Sequence, residues 1–384
     1  MSDPVPIPTT LPSLVAFYPQ ADWVWLGSWV FALAVPTIFL LLGFSPHLRT
    51  ACARAARGSW YWTLVLFACA YLTIAAVAAL PVGYLADLAF MRAWNVPTPT
   101  ASAWLLGRGV ALLGSWAAVA TLIWIPYALM ARVPRAWWLL SGVALWPVVM
   151  TAMVTYQLLL SPLLIHYRPL EGALATQFES LAARCGVQHL RVMVGGSDTA
   201  AYGLWPFEQI VMADDPELTP QEIEVSLAHE LKHYLLDNTW IAPGAVGGLL
   251  VLGFGAVSLF GPPLIKGFAK RFGFSQLADP ASFPLIMLIL SASWLLAGLP
   301  AFNAVQRHLE LEADRFALEL THGNRAQALL QVRYSTYKLN QYYWFYQIWR
   351  ANHPSQAVRV QLANTYHPWA DGQALVYGSV CHMP

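Results

Sequence analysis

The stretch from His229 to His233, which reads His-Glu-Leu-Lys-His, has the residue types and spacing of a metal-dependent hydrolase. On a helix, His229 and His233 lie one turn apart on the same face, so both imidazoles can bind one Zn²⁺. Glu230 lies beside them and can take a proton from a water at that metal. The alternative interpretation is an amphipathic helix with two incidental histidines.

A helix is predicted to begin just before this stretch. Thr219 and Glu222 have the spacing of a capping box, and Pro220 occupies the first turn, where a helix accepts proline. A helix that begins here continues through His229 and His233 and presents both side chains on one face.

A carboxylate farther along the chain can complete the ligand set. A catalytic zinc usually has three protein ligands and leaves a fourth position for water. Glu310 and Asp314 lie one turn apart in a second predicted helix. Glu310 is therefore the candidate third ligand, and the alternative, a solvated acidic face, fits Glu312 better.

The composition predicts that much of the chain lies in a membrane. Hydrophobic residues make up 58% and charged residues 11% of the sequence, a balance too apolar for a soluble enzyme. Six uncharged runs reach the length of about 20 residues that a bilayer-spanning helix needs. They are residues 23–44, 59–84, 109–130, 136–165, 239–265 and 280–305.

Basic residues are concentrated in the loops after the first, third and fifth spans. They are Arg49, Arg54, Arg57, Arg132, Arg135, Lys266, Lys270 and Arg271. The opposite side has an N-terminus without basic residues and a loop with only Arg92. Because basic loops stay in the cytoplasm, both termini and the metal-binding motifs are predicted to face away from it. The net charge of +1 implies no nucleic-acid partner.

The four cysteines include no Cys-x-x-Cys pair and so predict no zinc cluster. Cys185 and Cys381 lie in the polar parts of the chain, and an oxidising compartment would allow them to form a disulfide. Because nothing in the sequence brings them together, we expect free thiols.

A stretch of small residues, from Ser197 to Leu204, lies between two predicted strands at residues 190–194 and 209–212. Short side chains allow another backbone to approach, so a strand here can hold an extended peptide by main-chain hydrogen bonds. The alternative is the edge of an ordinary β-hairpin.

Several motifs occur together and in a fixed order. They are Ser161–Leu164 with Arg168–Leu170, Tyr202–Leu204 with Ile210–Asp214, Ala228–His233, Arg307–Asp314, and His353-Pro354 with Arg359. In these motifs the chain resembles the type I CaaX prenyl endopeptidases, membrane-embedded zinc proteases related to the bacterial heat-shock membrane proteases. The sequence departs from that family's pattern at Lys232, Asp198, Asn238 and Gln306, none of which is a metal ligand.

The resemblance implies a role for each matched residue. His229, His233 and Glu310 would hold one Zn²⁺ per chain, with Glu230 as the catalytic base and His353 stabilising the oxyanion. The residues that would support these groups are Asp314, Arg307 and Arg359, and those that would bind substrate are Thr199, Ala200, Ala201, Tyr202 and Gly203. Family precedent places the site on the cytoplasmic side, whereas the basic loops indicate the opposite side.

The predicted fold is mainly α: a polytopic helical membrane protein with a zincin-type metalloprotease domain that carries a small β-hairpin or sheet. Residues 1–165 would form a membrane domain of four spans, and residues 166–384 a metallopeptidase domain interrupted by a two-span hairpin at about 240–305. The predicted function is zinc-dependent hydrolysis of peptide bonds in lipidated or membrane-associated polypeptides, with a peptide or membrane-protein substrate and the bilayer as partners. The alternative is a catalytically silent membrane scaffold or receptor that retains a structural zinc.

Overall fold

The computed structural model describes residues 3–156, 159, 166–188, 190–195, 199–204 and 207–384. Asp198 and the Ser161–Leu164 motif lie outside these residues. The chain forms two compact units. The helical unit comprises residues 16–147 and 247–298, and the metal-site unit comprises residues 1–15, 148–246 and 299–384. The domain boundary predicted at residue 165 stays a prediction.

The chain is mostly helical. In the described part of the chain, the α-helices of six or more residues are α1 (Pro12–Leu41), α2 (Phe44–Ala55), α3 (Trp60–Tyr84), α4 (Ala101–Leu122), α5 (Trp124–Arg132), α6 (Trp137–Thr155), α7 (Ala173–Ala183), α8 (Pro220–Lys232), α9 (Ala242–Phe272), α10 (Phe283–Ser293), α11 (Leu299–Thr321), α12 (Asn324–Tyr334), α13 (Trp344–Trp349) and α14 (Gln356–Thr365). Wider π-helical turns follow α3 (Leu85–Phe90) and α8 (His233–Ile241) and precede α11 (Trp294–Gly298).

Six helical segments of the described chain are long and apolar enough to cross a membrane. They are Pro12–Leu41, Trp60–Ala93, Ala101–Arg132, Trp137–Thr155, Ala242–Phe272 and Pro280–Thr321. Their number equals that of the apolar runs predicted from the sequence, and the chain is a multi-pass membrane protein. Several helices extend past the predicted apolar runs because charged residues, such as Lys270 at the end of α9, continue the helical hydrogen bonding.

The interior of the helical unit is apolar and closely packed. Leu64, Phe67 and Tyr127 are fully buried in it. At Gly142 of α6, an added Cβ atom would lie 2.6 Å from the side chain of Val251 in α9. Only glycine allows these two helices to approach so closely.

A four-stranded sheet lies in the metal-site unit, with the strand order β1-β2-β4-β3. The strands are β1 (Arg168–Pro169), β2 (Val192–Val194), β3 (Ala200–Tyr202) and β4 (Gln209–Met212). The strand β4 is parallel to β2 and antiparallel to β3, with Ala201 opposite Ile210. The predicted strands at 190–194 and 209–212 are both present, and β3 lies at the edge of the sheet.

Helix α8 begins where the sequence predicts. The hydroxyl of Thr219 accepts a hydrogen bond from the Glu222 amide at 3.3 Å, and the Glu222 carboxylate accepts one from the Thr219 amide at 2.8 Å. The apolar face of α8 then packs along α11, where Leu231 belongs to the same buried cluster as Phe316 and Leu320. This packing brings the two motif-bearing helices together.

The N-terminal segment of residues 3–11 packs against the C-terminal part of the metal-site unit. The amide of Val5 donates to Asn364 Oδ1 at 3.0 Å, and Asn364 Nδ2 donates back to the Val5 carbonyl at 2.8 Å. Asn340 Nδ2 donates to the carbonyl of Pro8 at 2.8 Å. Both ends of the chain therefore belong to one folded unit.

Cys185 and Cys381 form a disulfide bond, so the expectation of free thiols is wrong. Cys185 follows α7. A hydrogen bond from the His382 amide to the Arg184 carbonyl, 2.8 Å long, holds the C-terminal tail beside it. A separation of 196 residues hides this contact from the sequence. Cys52 and Cys69 are free thiols.

Replacing Thr219 by alanine should lower the free energy of unfolding by about 1 kcal/mol, because a first-turn amide loses its partner. Ser355→Ala is the matched control: Ser355 is the N-cap residue of α14, but its side chain makes no capping hydrogen bond. That change should stay within about 0.5 kcal/mol. Chemical denaturation of the detergent-solubilised protein measures both, and equal losses would contradict the capping role.

Candidate metal centre

Three side chains from α8, its π-helical extension and α11 converge on one point. The distance from His229 Nε2 to Glu310 Oε2 is 3.2 Å, and that from His233 Nε2 to Glu310 Oε1 is 3.5 Å. The two Nε2 atoms are 3.3 Å apart. Bonds of about 2.0–2.1 Å to a tetrahedral Zn²⁺ would separate ligand atoms by about 3.3–3.4 Å, so the spacing fits such an ion.

Hydrogen bonds behind the rings fix which nitrogen of each histidine is available. Nδ1 of His229 lies 2.9 Å from Asp314 Oδ1, and Nδ1 of His233 lies 2.6 Å from Asp237 Oδ2. Since an ionised carboxylate only accepts, each Nδ1 carries the donated proton, and in the neutral ring Nε2 is the nitrogen left to bind a metal ion. Three acceptors this close repel one another unless a cation lies between them, so these residues could hold a divalent metal ion.

The same environment favours positive charge on His229 itself. Burial lowers the pKa of this ring, but hydrogen bonds to Asp314 and Glu310 outweigh the burial and raise the pKa to about 10. The carboxylates around the site therefore favour a cation at this position.

Asp314 is fully buried, and it accepts hydrogen bonds from other side chains besides His229. It accepts hydrogen bonds from Arg359 Nε at 2.7 Å and from the terminal guanidinium nitrogen of Arg359 at 2.5 Å. Gln327 Nε2 donates a further bond at 2.7 Å. These partners neutralise the carboxylate and hold it in position behind His229, as expected for a metal-ligating histidine.

Asp237 plays the corresponding part behind His233, and sequence reasoning missed it. Lys232 Nζ lies 2.8 Å from both oxygens of Asp237, and the two side chains are 3% and 5% exposed. Lys232 Nζ also donates to the carbonyl of Leu309, next to Glu310, at 3.4 Å. The one available signal was the spacing of four residues between His233 and Asp237, which places both on one helical face.

Glu230 lies in the site and contacts the edge strand. One of its carboxylate oxygens accepts a hydrogen bond from the Ala201 amide at 2.7 Å. Burial raises the pKa of Glu230, and the charge of Glu310 raises it further, while the neighbouring histidines and the Ala201 bond oppose the change. A carboxylate with a raised pKa is a stronger proton acceptor than a solvated one.

His353 reaches the site from the loop before α14. Its Nε2 lies 3.3 Å from Glu310 Oε1, and its side chain is 46% exposed. Partial desolvation, together with the positive charges of Arg359 and Lys338, lowers the pKa of His353 more than nearby Glu310 raises it, so the ring is neutral at pH 7. A neutral ring has one N–H, so His353 donates toward the site through Nε2 in the tautomer that gives up the contact between Nδ1 and Asn352 Oδ1, which are 2.9 Å apart.

Arg307 does not contact the ligand cluster directly. Its guanidinium donates to the carbonyls of Gln347 and Ala351, each at 2.6 Å. It thereby ties α11 to α13 and to the loop that carries His353.

The predicted substrate-binding residues, Thr199–Gly203, form β3 and its flanks beside Glu230. Thr199 Oγ1 accepts from the Ala213 amide at 3.0 Å, on the side of β4. Ala201 faces the other way, since its amide donates to Glu230 and its carbonyl lies 3.5 Å from Asn238 Nδ2. Main-chain groups of alternate residues face the same edge of a strand, so this edge points toward the site.

Residues 170–366, just over half of the chain, match the family model described as Peptidase family M48. This chain belongs to peptidase family M48. The matched range contains every residue of the ligand cluster and its supporting carboxylates.

Two curated relatives of this M48 chain align over shorter ranges. Identity is 25% over 284 residues with the uncharacterized metalloprotease YhfN of Bacillus subtilis (strain 168), covering 70% of this chain and 66% of that protein. Identity is 30% over 192 residues with the CAAX prenyl protease 1 homolog of Oryza sativa subsp. japonica, covering 46% of this chain and 44% of that protein. The M48 chain thus spans less than two thirds of either relative.

The crystal structure of Ste24p from S. mikatae has the same fold as the M48 chain. The TM-score is 0.67 at 20% identity, over 86% of this chain and 83% of that chain. The predicted fold class and the resemblance to the type I CaaX endopeptidases are confirmed.

In this M48 chain, Asp237→Asn should weaken binding of a divalent metal ion, with Zn²⁺ as the probe, by about 10- to 100-fold, because the carboxylate that orients His233 is lost. Asp214→Asn is the matched control: Asp214 pairs with Arg168 on the exposed surface, and its loss should leave affinity unchanged. Competition with a chromophoric chelator measures both.

The variant Asp237→Asn leaves the buried Lys232 without its carboxylate, which by itself destabilises a protein. The double variant Lys232→Met/Asp237→Asn removes that charge and should regain stability while zinc affinity stays low. Recovery of wild-type zinc affinity in the double variant would contradict the positioning role of Asp237.

Proposed function

We propose that this chain is an integral-membrane, zinc-dependent endopeptidase that hydrolyses peptide bonds of lipidated or membrane-associated polypeptides. The observation that carries the proposal is the convergence of His229, His233 and Glu310 at 3.2–3.5 Å, with Glu230 beside them. The coarser assignment to a peptidase family rests on the family match.

Zinc is the metal that best suits these donors. Two imidazoles and one carboxylate form a common ligand set of catalytic zinc, whereas Mg²⁺ and Ca²⁺ prefer all-oxygen sites. Within the described residues the cluster offers three ligands. Structural zinc sites are normally closed by four protein ligands, so a set of three supports catalysis over the silent scaffold. We expect one Zn²⁺ per chain.

Each protein group then has a defined part in hydrolysis. When bound, zinc supplies Lewis acidity that polarises a carbonyl group and makes water more acidic at neutral pH. Glu230, held through one oxygen by the Ala201 amide, accepts the proton of the attacking water and passes it to the departing amine. The neutral ring of His353, beside Glu310, donates a hydrogen bond to the oxygen that becomes negative in the transition state.

The exposed edge of β3 suits an extended substrate. A peptide laid along it would form main-chain hydrogen bonds with Thr199 and Gly203, which flank Ala201 on the same edge, while the Ala201 amide stays bound to Glu230. Small side chains at positions 200 and 201 let that backbone approach. The scissile bond would then lie beside Glu230, since Ala201 already contacts this carboxylate.

The side of the membrane on which this site works decides which substrates it meets. The basic loops favour a site that faces away from the cytoplasm. The precedent of the CaaX-type relatives favours the cytoplasmic side.

Glu230→Gln should lower kcat for cleavage of an unfolded protein substrate by about 10²–10⁴-fold, because glutamine cannot accept the proton. Zinc content should stay at the wild-type level, since the amide keeps the shape of the side chain. Glu224→Gln, on the same helix but outside the site, is the matched control and should keep full activity. Wild-type proteolysis by the Glu230→Gln protein would refute the proposed base.

Removing the metal by dialysis against a chelator should abolish proteolysis, and about one equivalent of Zn²⁺ per chain should restore it. Mg²⁺ should fail to restore activity, because it does not favour imidazole ligands. Full activity of the metal-free protein would exclude a metallopeptidase.

A further inference from the structure

We infer that the metal-site unit lies in an oxidising compartment, away from the cytoplasm, and that its substrates are polypeptide segments exposed on that side of the membrane. The substrate part rests on the proposed endopeptidase function, whereas the placement does not. Two lines of argument support the placement: the cysteines by themselves, and the contacts of the N-terminal segment combined with the charges next to the spans.

The first observation is how the cysteines are distributed. Both partners of the disulfide, Cys185 and Cys381, belong to the metal-site unit. Cys52 and Cys69, which belong to the helical unit, are free. Cys52 lies in α2, within the Arg-rich segment that follows the first span. Disulfides persist in oxidising compartments, while thiols on the cytoplasmic side are kept reduced.

Formation of the bond has a simple redox balance. The thiols of Cys185 and Cys381 lose two protons and two electrons as the sulfur–sulfur bond forms. A disulfide of the compartment's thiol-oxidising proteins accepts them and becomes two thiols. The cytoplasm offers no such steady oxidant, so a bonded pair indicates the other side.

The second observation fixes the side of the metal-site unit relative to the N-terminus. Val5 and Pro8 are hydrogen bonded to Asn364 and Asn340, so the N-terminal segment lies on the same side as the C-terminal part. An even number of crossings must separate them, whatever the exact boundaries of the spans. The six candidate spans meet this requirement. An error in counting spans before α8 therefore does not reverse the conclusion.

The third observation is the charge next to the spans. The N-terminal segment, now linked to the metal-site unit by contacts, contains no Lys or Arg, and the first basic residue of the chain is Arg49. Arg54 and Arg57 follow it in the same short segment, and Lys270 and Arg271 lie in the last turn of α9. Because basic flanking residues stay in the cytoplasm, the basic segments lie there and the N-terminus lies opposite.

The placement excludes substrates whose scissile segment lies in the cytoplasm. It leaves extended segments of secreted or membrane proteins that emerge on the oxidising side. An edge strand that recognises main-chain groups suits such substrates, because it selects unfolded backbone and requires no particular side chain.

The first test reads the disulfide in the full-length protein. Cells are denatured directly in acid, and free thiols are alkylated with a maleimide-polyethylene glycol. We expect two added masses without reductant, from Cys52 and Cys69, and four after reduction. Four added masses without reductant would overturn the inference.

The second test reads the side of the membrane. In a Cys52→Ser/Cys69→Ser background, which keeps the native disulfide, a single cysteine is introduced at an exposed position of each segment. Gln361→Cys, on α14, should react with a membrane-impermeant maleimide in intact cells, while Ala55→Cys, on α2, should react only after lysis. Protection of Gln361→Cys until lysis, or labelling of Ala55→Cys in intact cells, would overturn the placement.

The third test separates placement from function. One membrane-anchored test protein carries the same unstructured segment on either side of the bilayer, and Glu230→Gln serves as the inactive control. We expect cleavage only of the version whose segment lies outside the cytoplasm. Cleavage only of the cytoplasmic version would overturn the inference while supporting the endopeptidase. Cleavage of neither version would contradict the proposed substrate class. The disulfide and labelling tests would still decide on which side the metal-site unit lies.

Discussion

Convergence of three hydrogen-bond acceptors is the constraint on which the metal-site unit depends. Two imidazole lone pairs and one carboxylate, from His229, His233 and Glu310, approach within 3.5 Å of one another. Such a group of atoms repels itself, so the fold must hold it together by other means. Burial of apolar side chains between α8 and α11, with Leu231 and Phe316 in one cluster, stabilises this arrangement.

The charges behind the ligands follow a common plan. His229 is backed by Asp314 and then Arg359, and His233 is backed by Asp237 and then Lys232. Each carboxylate fixes the tautomer of a ring, and each cation offsets the cost of burying the carboxylate. Buried ion pairs of this kind add little net stability, so their value here lies in positioning. Lys232 also binds the Leu309 carbonyl, which joins the histidine-bearing segment to the helix of Glu310.

Local signals in the sequence predicted the parts of the site that depend on short spacings. The capping box at Thr219, the ligand pair one turn apart and the apolar spans all follow from helical periodicity, which a single sequence displays. Asp237 obeys the same rule but was missed, because Lys232 was interpreted only as a departure from a family pattern. Lys232 and Asp237 form an ion pair, and this lysine compensates the charge of the buried aspartate behind His233.

Long-range contacts were beyond the reach of the sequence. The bond between Cys185 and Cys381 joins positions 196 residues apart, and only the path of the C-terminal tail over α7 brings them together. Arg307 belongs to a motif near the ligands, yet it binds the carbonyls of Gln347 and Ala351. The sequence correctly placed Arg307 and Glu310 on one helix. It could not show which groups the long Arg307 side chain contacts, because that depends on tertiary packing.

The hydrogen bonds between Val5 and Asn364 also set the order in which the protein can be assembled. They join positions 359 residues apart. During synthesis the N-terminal segment emerges first, but its partners leave the ribosome only after all six apolar helices have been made. The nascent chain therefore cannot complete this unit step by step, and a peptidase built in this way would acquire its finished form only after the segment around Asn364 has been made.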